Sequence, residues 1–346
     1  MLFLLILSTL VIPFGALTRV FIYLKTCYEL DMQKLLIYIL GGGISREREV
    51  SLKTAKTLLT NIDKTKYEPV MIIINNDDIW RDRLIKNKPD VVLLGLHGTG
   101  YEDGQIQEWL DKQKIKYTGS GAKASKFAFD KQKSKEIFVK EGLQVPRGIV
   151  IEKKQVKEVN KLINGLKYPF FVKPNQNGSS VATTRIKDSN ELAKALYEVW
   201  ALDKGALVEE EINGRELSCG VVQNGDAPLV LPVTEIKPRN DFFSYKAKYS
   251  SPEQGGAEEI TPAELSQEIT NQVKAIASIC HECLGCKGIT RTDIILTPKN
   301  ELFVLEINTL PGMTETSLVP QQAKANGLTI SNLIDLLIEG ALNNNI

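Results

Sequence analysis

Two segments near the C-terminal end of the chain carry polar side chains at a spacing that could bind a cation. In "VLEINTLPG", Glu306 and Asn308 lie two residues apart just before a Pro-Gly turn, and in "GITRTDIIL" Arg291 and Asp293 have the same spacing. Because residues i and i+2 of a strand point to the same face, each pair converges on one spot. Such a pair indicates either a half-exposed strand with its polar residues in water or a binding site.

The two segments are joined by the short connection "TPKN", which favours an antiparallel hairpin with both pairs on the same face. Two carboxylates placed that close would repel each other without a cation. Oxygen ligands at this density are typical of Mg²⁺, which proteins hold through one or two carboxylates and the phosphates of a substrate. Because the strands are otherwise apolar, we favour a metal site at Asp293, Glu306 and Asn308 over a surface cluster of salt bridges.

Basic and glycine-rich segments elsewhere in the chain could contact phosphate. Lys173 ends the apolar strand "YPFFVKP" and precedes the loop Gly178-Ser179-Ser180, whose backbone N–H groups could approach an anion. The spacing of a P-loop is absent. Lys131 in "DKQKSK" is ambiguous, because charge runs are usually solvated surfaces. The acidic run "LVEEEINGRE" indicates either an exposed linker or a hinge that contacts a nucleotide.

The composition limits the classes of protein to which the chain can belong. Its 346 residues exceed one ordinary core, so we expect two or three domains. Apolar residues make up 43% and charged residues 25%, as in soluble globular proteins. The formal net charge of +1 predicts no polyanion-binding surface and hence no nucleic-acid partner. Five cysteines without disulfide-like spacing favour a reducing compartment, so the cytoplasm is the expected location.

Residues 1–31 form an apolar leader with no charge before Arg19. The leader is of borderline length for a membrane-spanning helix, and it lacks the basic start of a signal peptide. Three interpretations remain open: a start codon assigned too far upstream, which we favour because Met32 resembles a fresh start, a membrane anchor, or a signal peptide. We expect membrane contact only if residues 1–31 are retained.

The pattern of apolar runs predicts an α/β protein. The strand "KLLIYIL", three glycines and a helix-like segment open a βαβ unit, and "PVMIII" and "DVVLLGLHG" read as further buried strands. This order predicts an N-terminal α/β domain, residues 32–128, with a doubly wound parallel sheet. Shorter strands and helices alternate over 129–213, with one helix predicted near 155–165. A strand-rich region fills 214–346, with a helix predicted at 262–284. We expect both of these regions to be α+β domains.

The run "CHECLGC" places Cys280, His281, Cys283 and Cys286 close together. These residue types occur in zinc and iron–sulfur sites. The chain has no second cysteine pair elsewhere, and Cys280 and Cys283 have helical spacing on an apolar face. We therefore favour the packing of small buried side chains over a metal site.

Seven blocks, taken together and in order, resemble the ATP-grasp enzymes and, among them, the D-alanine–D-alanine ligase family. The blocks are "GGGISREREVSL", "GLHGTGYEDGQIQ", "YTGSGAKASKFAFDKQKSK", "FVKPNQNGSSV", "YKAKY", "GITRTDIIL" and "LEINTLPGMTETSLVP". The likeness runs from about Lys34 to near residue 340. It implies a three-domain ATP-grasp fold, in which the two α+β domains enclose ATP.

The resemblance implies nucleotide and metal contacts at matching positions. It implies ATP-phosphate contacts from Lys131, Lys173 and Lys248, adenine contacts from Glu209 and Ile212, and a ribose contact from Glu216. It also implies that Asp293, Glu306 and Asn308 hold two Mg²⁺ or Mn²⁺ ions.

The resemblance further implies roles toward two amino-acid substrates. It implies that Glu47 binds the ammonium of a first D-alanine, that His97 lies beside that pocket, and that Ser179 and Tyr249 close over the substrate with Glu47. Arg291 and the Gly312 amide match oxyanion contacts, and Ser317 and the Leu318 amide match the pocket for the second substrate's carboxylate. The segment 238–256 has the length and polarity of a lid over these groups.

The function implied by the resemblance is the ATP-dependent joining of two D-alanines through an acyl phosphate, for peptidoglycan. D-Alanine and ATP are then the partners, and the family implies a homodimer.

Tyr249 favours an amine over a hydroxyl as second nucleophile. Ala182 and Tyr101 stand where the family usually has glycine, and neither removes a ligand. Two alternatives remain open: a ligase for another amino acid pair, and an ATP-binding scaffold without turnover.

Overall fold

A computed structural model of the chain describes residues 34–178, 181–223, 225, 227–237 and 257–343. The predictions for the leader, for Ser179, and for the segment 238–256 with Lys248 and Tyr249 fall outside these residues.

The N-terminal part forms the predicted parallel sheet. Its strands are β1 (Leu35–Gly42), β2 (Tyr67–Ile74) and β3 (Val91–Leu94), in the order β2-β1-β3, and β1 pairs with β3 in parallel. Most of β1 and all of β3 are buried, as expected for a sheet covered on both faces. The helices of this part are α1 (Arg48–Asn61), α2 (Ile79–Lys86) and α3 (Gln105–Lys112).

The central part contains a four-stranded antiparallel sheet with the order β4-β7-β5-β6. Its elements are, in chain order, the helices α4 (Ala122–Phe129) and α5 (Lys131–Lys140), the strand β4 (Gly148–Glu152), a 3-10 helix (Lys153–Glu158), the helix α6 (Val159–Leu162), the strands β5 (Phe170–Pro174) and β6 (Thr184–Ile186), the helix α7 (Ser189–Trp200) and the strand β7 (Gly205–Glu210). The prediction of one continuous α-helix near 155–165 is wrong. A 3-10 segment and one α-helical turn replace it, because this stretch buries only Val159 against the sheet.

Asp130, which lies between α4 and α5, fixes the position of α5. Its carboxylate caps α5 by accepting a hydrogen bond from the backbone N–H of Lys133 (3.1 Å). It also accepts hydrogen bonds from the side-chain amides of Asn175 (2.9 Å) and Gln176 (2.7 Å), which directly follow β5. The start of α5, with Lys131, is therefore fixed against the end of the strand that carries Lys173.

The C-terminal part contains a six-stranded antiparallel sheet, in which β9 pairs with β8 beside the main order β11-β10-β8-β12-β13. Its elements are, in chain order, the strands β8 (Arg215–Gln223), β9 (Pro228–Val230), β10 (Thr234–Lys237) and β11 (Glu258–Ile260), the helix α8 (Gln267–Cys283), the strands β12 (Ile289–Leu296) and β13 (Leu302–Asn308), and the helices α9 (Leu318–Ala325) and α10 (Ile330–Asn343). Helix α8 begins five residues later than the sequence predicts, because Ser266 caps it and accepts a hydrogen bond from the Ile269 N–H (3.3 Å).

The hairpin of β12 and β13 places both polar pairs on one face, as predicted, but by a different route. Leu296 pairs with Leu302, so the connection has five residues rather than four, and a regular ladder would put Leu305 opposite Asp293. The register shifts between Asp293 and Ile294, and the extra residue, Leu305, is a β-bulge. The bulge brings Glu306 opposite Asp293. Because directly opposed residues share a face, the two carboxylates point to the same side of the sheet.

Each sheet has its own hydrophobic core. The N-terminal core includes Tyr38 and Leu40, the central core includes Phe170 and Val172, and the C-terminal core includes Val304. Among the described residues no helix is both long and apolar enough to cross a membrane.

Candidate active site

A cleft of about 880 Å³ is lined by residues from all three parts of the chain. Most of the residues that the sequence singles out lie along it, namely Glu47, His97, Lys131, Glu216, Arg291, Asp293, Glu306, Asn308, Gly312, Ser317 and Leu318. Lys173, Glu209 and Ile212 are not part of its lining.

One face of the C-terminal sheet forms the floor of this cleft. Asp293 on β12 lies opposite Ser218 on β8 and opposite Glu306 on β13. Glu216, two residues before Ser218, therefore points to the same face. Arg291 lies opposite Asn308 on that face. The sheet thus collects three carboxylates, an amide and a guanidinium on this face.

Asp293 is the most strongly held of these side chains. Arg291 donates two hydrogen bonds to it, from Nε to Oδ1 (2.9 Å) and from Nη2 to Oδ2 (2.7 Å). The hydroxyl of Ser218 donates a third to Oδ1 (2.8 Å). Because both Asp293 and Ser218 are buried, their rotamers are fixed by these contacts. Asp293 therefore presents its remaining lone pairs to the cleft in a defined direction.

Glu306 and Asn308 complete the polar end of the floor. Glu306 Oε2 lies 3.5 Å from the Lys131 ammonium, which also donates a hydrogen bond to the Asn177 carbonyl (2.6 Å). Asn308 Oδ1 accepts a hydrogen bond from the Leu310 N–H (2.8 Å), which orients the amide at the start of the Pro-Gly turn. Lys131 thus joins α5 to the floor of the C-terminal sheet.

The donor set fits a hard divalent cation whose shell is completed by phosphate oxygens. In the described part of the chain, no three His, Cys, Asp or Glu side chains are placed to hold a metal ion. Asp293, Glu306 and Asn308 contribute two carboxylates and one amide, which is the protein share that Mg²⁺ usually takes when a phosphorylated substrate supplies the rest. Arg291 and Lys131 offset part of the negative charge until such a cation arrives.

A buried group of charges, Lys135–Glu209–Lys173, lies beside the cleft. The Glu209 carboxylate contacts the ammonium groups of both lysines. Burial lowers the pKa of Lys135 to about 8, although Glu209 opposes the shift. Burial acts in the same direction on Lys173, but the carboxylates of Glu209 and Glu306 outweigh it and raise the pKa of Lys173. Burial would raise the pKa of Glu209, but the two lysines hold it below its usual range.

Glu216 and Ile212 occupy different surroundings. Glu216 lies on β8 and lines the cleft. Ile212 lies in the segment between β7 and β8 and is half-buried. The acidic run that the sequence leaves ambiguous is therefore neither a simple linker nor fully exposed, since Glu209 is buried and Glu211 makes a two-point ion pair with Arg185 (2.8 Å).

Another part of the cleft lining comes from the start of α1 and from the loop after β3. Glu47 precedes α1 and is buried, and its backbone N–H donates to the Ser45 hydroxyl (3.2 Å). The Ser45 hydroxyl in turn donates to the His97 carbonyl (2.7 Å). A Cβ at Gly178 would lie 3.2 Å from Glu47 Oε1, so the loop after β5 passes directly over this carboxylate. The contact places the loop that precedes Ser179 beside Glu47.

His97 is held by three side-chain contacts. Its Nδ1 lies 3.0 Å from the Leu310 carbonyl and 3.5 Å from Glu102 Oε1, and its Nε2 lies 2.9 Å from the Thr54 hydroxyl. A carbonyl can only accept, so the proton is assigned to Nδ1. The imidazole therefore connects α1 with the Pro-Gly turn that follows β13.

Tyr101 and Ala182, which stand where the family usually has glycine, fit the structure in different ways. The Tyr101 ring packs on Gly43, where any Cβ would clash with it at 2.6 Å, and its hydroxyl accepts a hydrogen bond from the Ile44 N–H (3.1 Å). Ala182 adopts φ 50°, a left-handed conformation that glycine adopts without steric cost and alanine does not. Tyr101 is therefore well packed, whereas Ala182 is strained.

Ser317 and Leu318 lie at the start of α9 and line the cleft. The Ser317 hydroxyl contacts the Thr314 N–H (3.2 Å) and the Thr314 hydroxyl (2.8 Å). A Cβ at Gly312 would lie 2.7 Å from Ser317 Oγ, so the turn needs glycine for this close approach. The backbone N–H groups at the start of α9 favour an anion here.

Several side chains around the cleft were not singled out from the sequence. Lys135 lies four residues after Lys131 on α5, and this spacing could have indicated that both lysines share a helix face. Ser218, Glu102 and Gln322 carry no comparable signal. Gln322 of α9 accepts a hydrogen bond from the Gly220 N–H (2.9 Å) and donates to the Ser218 carbonyl (2.9 Å), which only the folded chain brings together.

The "CHECLGC" run packs in the C-terminal part. Cys280 and Cys286 are buried, and burial raises the pKa of the Cys286 thiol to about 12. His281 Nε2 lies 3.0 Å from Oε1 of the Gln223 side-chain amide, and Nδ1 lies 2.8 Å from the Thr290 hydroxyl. Both ring nitrogens of His281 are thus used in hydrogen bonds between α8 and the sheet.

His281 is expected to make the stability of the protein depend on pH. Burial lowers the pKa of His281 to about 4, so between pH 6.5 and 4 the unfolded chain binds a proton that the folded chain does not. The free energy of unfolding should therefore fall as the pH falls through this range, by about 3 kcal/mol in total. Urea unfolding at several pH values should show a smaller fall for His281→Gln than for the wild type. Parallel pH profiles for the two proteins would contradict this assignment.

Comparisons with known proteins agree with this geometry. Sequence models described as the D-ala D-ala ligase N-terminus and C-terminus match residues 36–88 and 137–339. The chain is 40% identical over 310 residues to D-alanine–D-alanine ligase B of Clostridium perfringens, covering 89% of this chain and 98% of that protein.

Solved structures of the same family share the fold. The D-alanine–D-alanine ligase of Bacillus anthracis complexed with ATP matches with a TM-score of 0.76 and 33% identity over 89% of this chain and 97% of that chain. The VanG D-Ala:D-Ser ligase of Enterococcus faecalis matches with a TM-score of 0.77 and 28% identity over 89% of this chain and all of that chain. These matches confirm the predicted ATP-grasp fold class. The chain belongs to the D-alanine–D-alanine ligase family.

Proposed function

We propose that this chain joins two D-alanine molecules into D-alanyl-D-alanine for peptidoglycan, with ATP converted to ADP and phosphate. The observation that carries the proposal is that three kinds of group line one cleft. The carboxylate of Glu47, the polar set of Asp293, Glu306 and Asn308, and the anion-favouring helix start at Ser317 all contribute to its lining. These groups suit an ammonium, a phosphate and a carboxylate, respectively.

The first chemical step transfers the γ-phosphoryl group of ATP to the carboxylate of the first D-alanine. The bond between the γ-phosphorus and its bridging oxygen breaks, ADP leaves, and an acyl phosphate forms. Two Mg²⁺ or Mn²⁺ ions at Asp293, Glu306 and Asn308 would neutralise charge on the phosphoryl oxygens. Lys131, Lys173 and Lys248 are the proposed phosphate contacts. Glu209 and Ile212 are those for adenine, and Glu216 is the ribose contact.

The second step makes the peptide bond. The amine of the second D-alanine, after losing a proton, attacks the acyl carbon, and the C–O bond to phosphate breaks. Arg291 and the Gly312 amide are proposed to stabilise the oxyanion, which is worth about 3 kcal/mol of the barrier per donor. Glu47 and His97 hold the first substrate, and Ser317 and the Leu318 amide hold the second.

Exclusion of water matters because the acyl phosphate hydrolyses readily. We propose that Ser179 and Tyr249 close over the first substrate with Glu47, and that 238–256 acts as the lid. The passage of Gly178 over Glu47 supports the position of Ser179 in this arrangement.

The domain boundaries and the cellular setting are also proposed. Three separate sheets support domains at 32–128, 129–213 and 214–346. We propose a homodimer in the cytoplasm, with membrane contact only if residues 1–31 are retained.

A second candidate function is the ligation of another amino acid pair. The likeness to the D-Ala:D-Ser ligase of Enterococcus faecalis favours this candidate. A scaffold without turnover is less well supported, because the carboxylates, the amide and both described phosphate lysines lie at or beside one cleft.

Phosphate release with purified protein, ATP and Mg²⁺ tests the proposal. D-Alanine alone should release phosphate and form one dipeptide for each phosphate. L-Alanine should give neither product, and D-lactate should not replace the second D-alanine. Mixed D-amino acid pairs identify the second candidate function. Phosphate release that no D-amino acid stimulates would contradict both ligase functions.

A further inference from the structure

Glu259 is a carboxylate on the cleft floor that no role above uses. It lies on β11, opposite Ile236 of β10, which in turn lies opposite Glu216 of β8. Opposed residues share a face, so Glu259 and Glu216 point into the same cleft, and both line it. Ala257, two residues earlier on the chain, lines it as well. The orientation of Glu259 therefore follows from the sheet register.

Gln321 ties Glu259 to the start of α9. The Gln321 side-chain amide donates hydrogen bonds to Glu259 Oε2 (2.6 Å) and to the Thr316 carbonyl (2.9 Å). Gln321 is one turn into α9, so the carboxylate is held beside the helix start that carries Ser317. Glu259 thus belongs to the end of the cleft that receives the second amino acid.

The charges around Glu259 leave it able to accept a cation. Burial raises the pKa of Glu259, while the Gln321 hydrogen bond and the charge of Arg291 act in the opposite direction. Gln321 is neutral, and the Arg291 guanidinium already makes two hydrogen bonds to Asp293. This half-buried carboxylate would form a stronger hydrogen bond with a positively charged ligand group than with a neutral one.

The second D-alanine enters as a zwitterion, and its carboxylate and its ammonium need opposite partners. Ser317 and the N–H groups at the start of α9 suit the carboxylate. Glu47, which is proposed to bind the ammonium of the first D-alanine, has different neighbours, Gly178 and Ser45. We propose that Glu259, oriented by Gln321, binds the ammonium of the second amino acid before that group loses its proton. This inference rests on the proposed function and adds a negative charge to the part of the cleft beside Ser317.

Glu259→Gln tests the inference, because it keeps the shape and removes the charge. The KM of the second D-alanine should rise by about ten-fold to a hundred-fold, the cost of losing a hydrogen bond to a charged group. The KM values of ATP and of the first D-alanine should stay within about two-fold of the wild type. Trapping the acyl phosphate with hydroxylamine measures the first half-reaction alone, and hydroxamate formation should be unchanged.

Two further variants give the matched comparison. Glu258→Gln alters the neighbouring carboxylate, which is exposed and points to the other face of β11, and it should leave all constants unchanged. Glu259→Asp keeps the charge and should recover most of the lost affinity. An unchanged KM for the second D-alanine in Glu259→Gln, or an equal loss of hydroxamate formation, would overturn the inference. A wild type that forms hydroxamate but no dipeptide would instead refute the proposed function.

Discussion

Asp293→Asn combined with Glu306→Gln is expected to lower ATP-dependent phosphate release by about a thousand-fold or more. The two carboxylates face each other across β12 and β13 and are the charged members of the candidate metal site. Without them the floor loses the two carboxylates placed to bind a divalent cation, while the positive charges of Arg291 and Lys131 remain beside the site. The loss should appear in steady-state phosphate release and should not be recovered at saturating D-alanine.

The matched control for this variant is Glu301→Gln, an exposed carboxylate in the connection between the same two strands. It should retain wild-type turnover. Thermal unfolding of both variants separates a folding defect from a defect in catalysis. If phosphate release persists undiminished in the folded double variant, the assignment of the metal site is wrong.

Glu209→Gln is expected to destabilise the protein by about 3–5 kcal/mol. The Glu209 carboxylate is buried between Lys135 and Lys173, and its removal leaves two ammonium groups close together with much of their counter-charge gone. Lys173 retains the more distant Glu306 as a favourable charge, whereas Lys135 depends mainly on Glu209. Urea unfolding at pH 7 measures the loss.

A double variant shows whether charge, and not shape, causes this effect. Lys135→Met added to Glu209→Gln removes one of the two ammonium groups and should restore about half of the lost free energy. Glu210→Gln, at the next and more exposed position, should cost less than about 1 kcal/mol. Equal losses in the Glu209 and Glu210 variants would argue against the buried charge group.

The sequence predicted the strands and their order well where apolar runs are long. The parallel pairing of β1 and β3 and the hairpin of β12 and β13 follow from such runs and from short connections. The bulge at Leu305 could not be predicted, because a bulge depends on how the partner strand aligns and leaves no mark in the pattern of polar residues. The start of α8 was predicted five residues too early, because Ser266 caps the helix.

The site was predictable where a motif occupies one segment and not where distant segments meet. Asp293, Glu306 and Asn308 could be found because two short strands carry them. Glu259 became visible only when folding brought its partner, Gln321, into contact with it. For Lys135 the sequence offers only its helical spacing from Lys131, and its partner Glu209 comes from a distant segment. The roles assigned to all of the site residues stay predictions, and Ser179, Lys248 and Tyr249 also lie outside the described residues.

The hairpin tip between β12 and β13 is a suitable place to change the length of the chain. The residues from 298 to 301 are exposed, and the bulge at Leu305 separates them from the pair of Asp293 and Glu306. An added residue at the tip can be taken up by the solvent-facing loop without turning Glu306 away from the cleft. Relatives should therefore vary in length here, and a peptide tag or fluorescent label inserted at Lys299 should be tolerated.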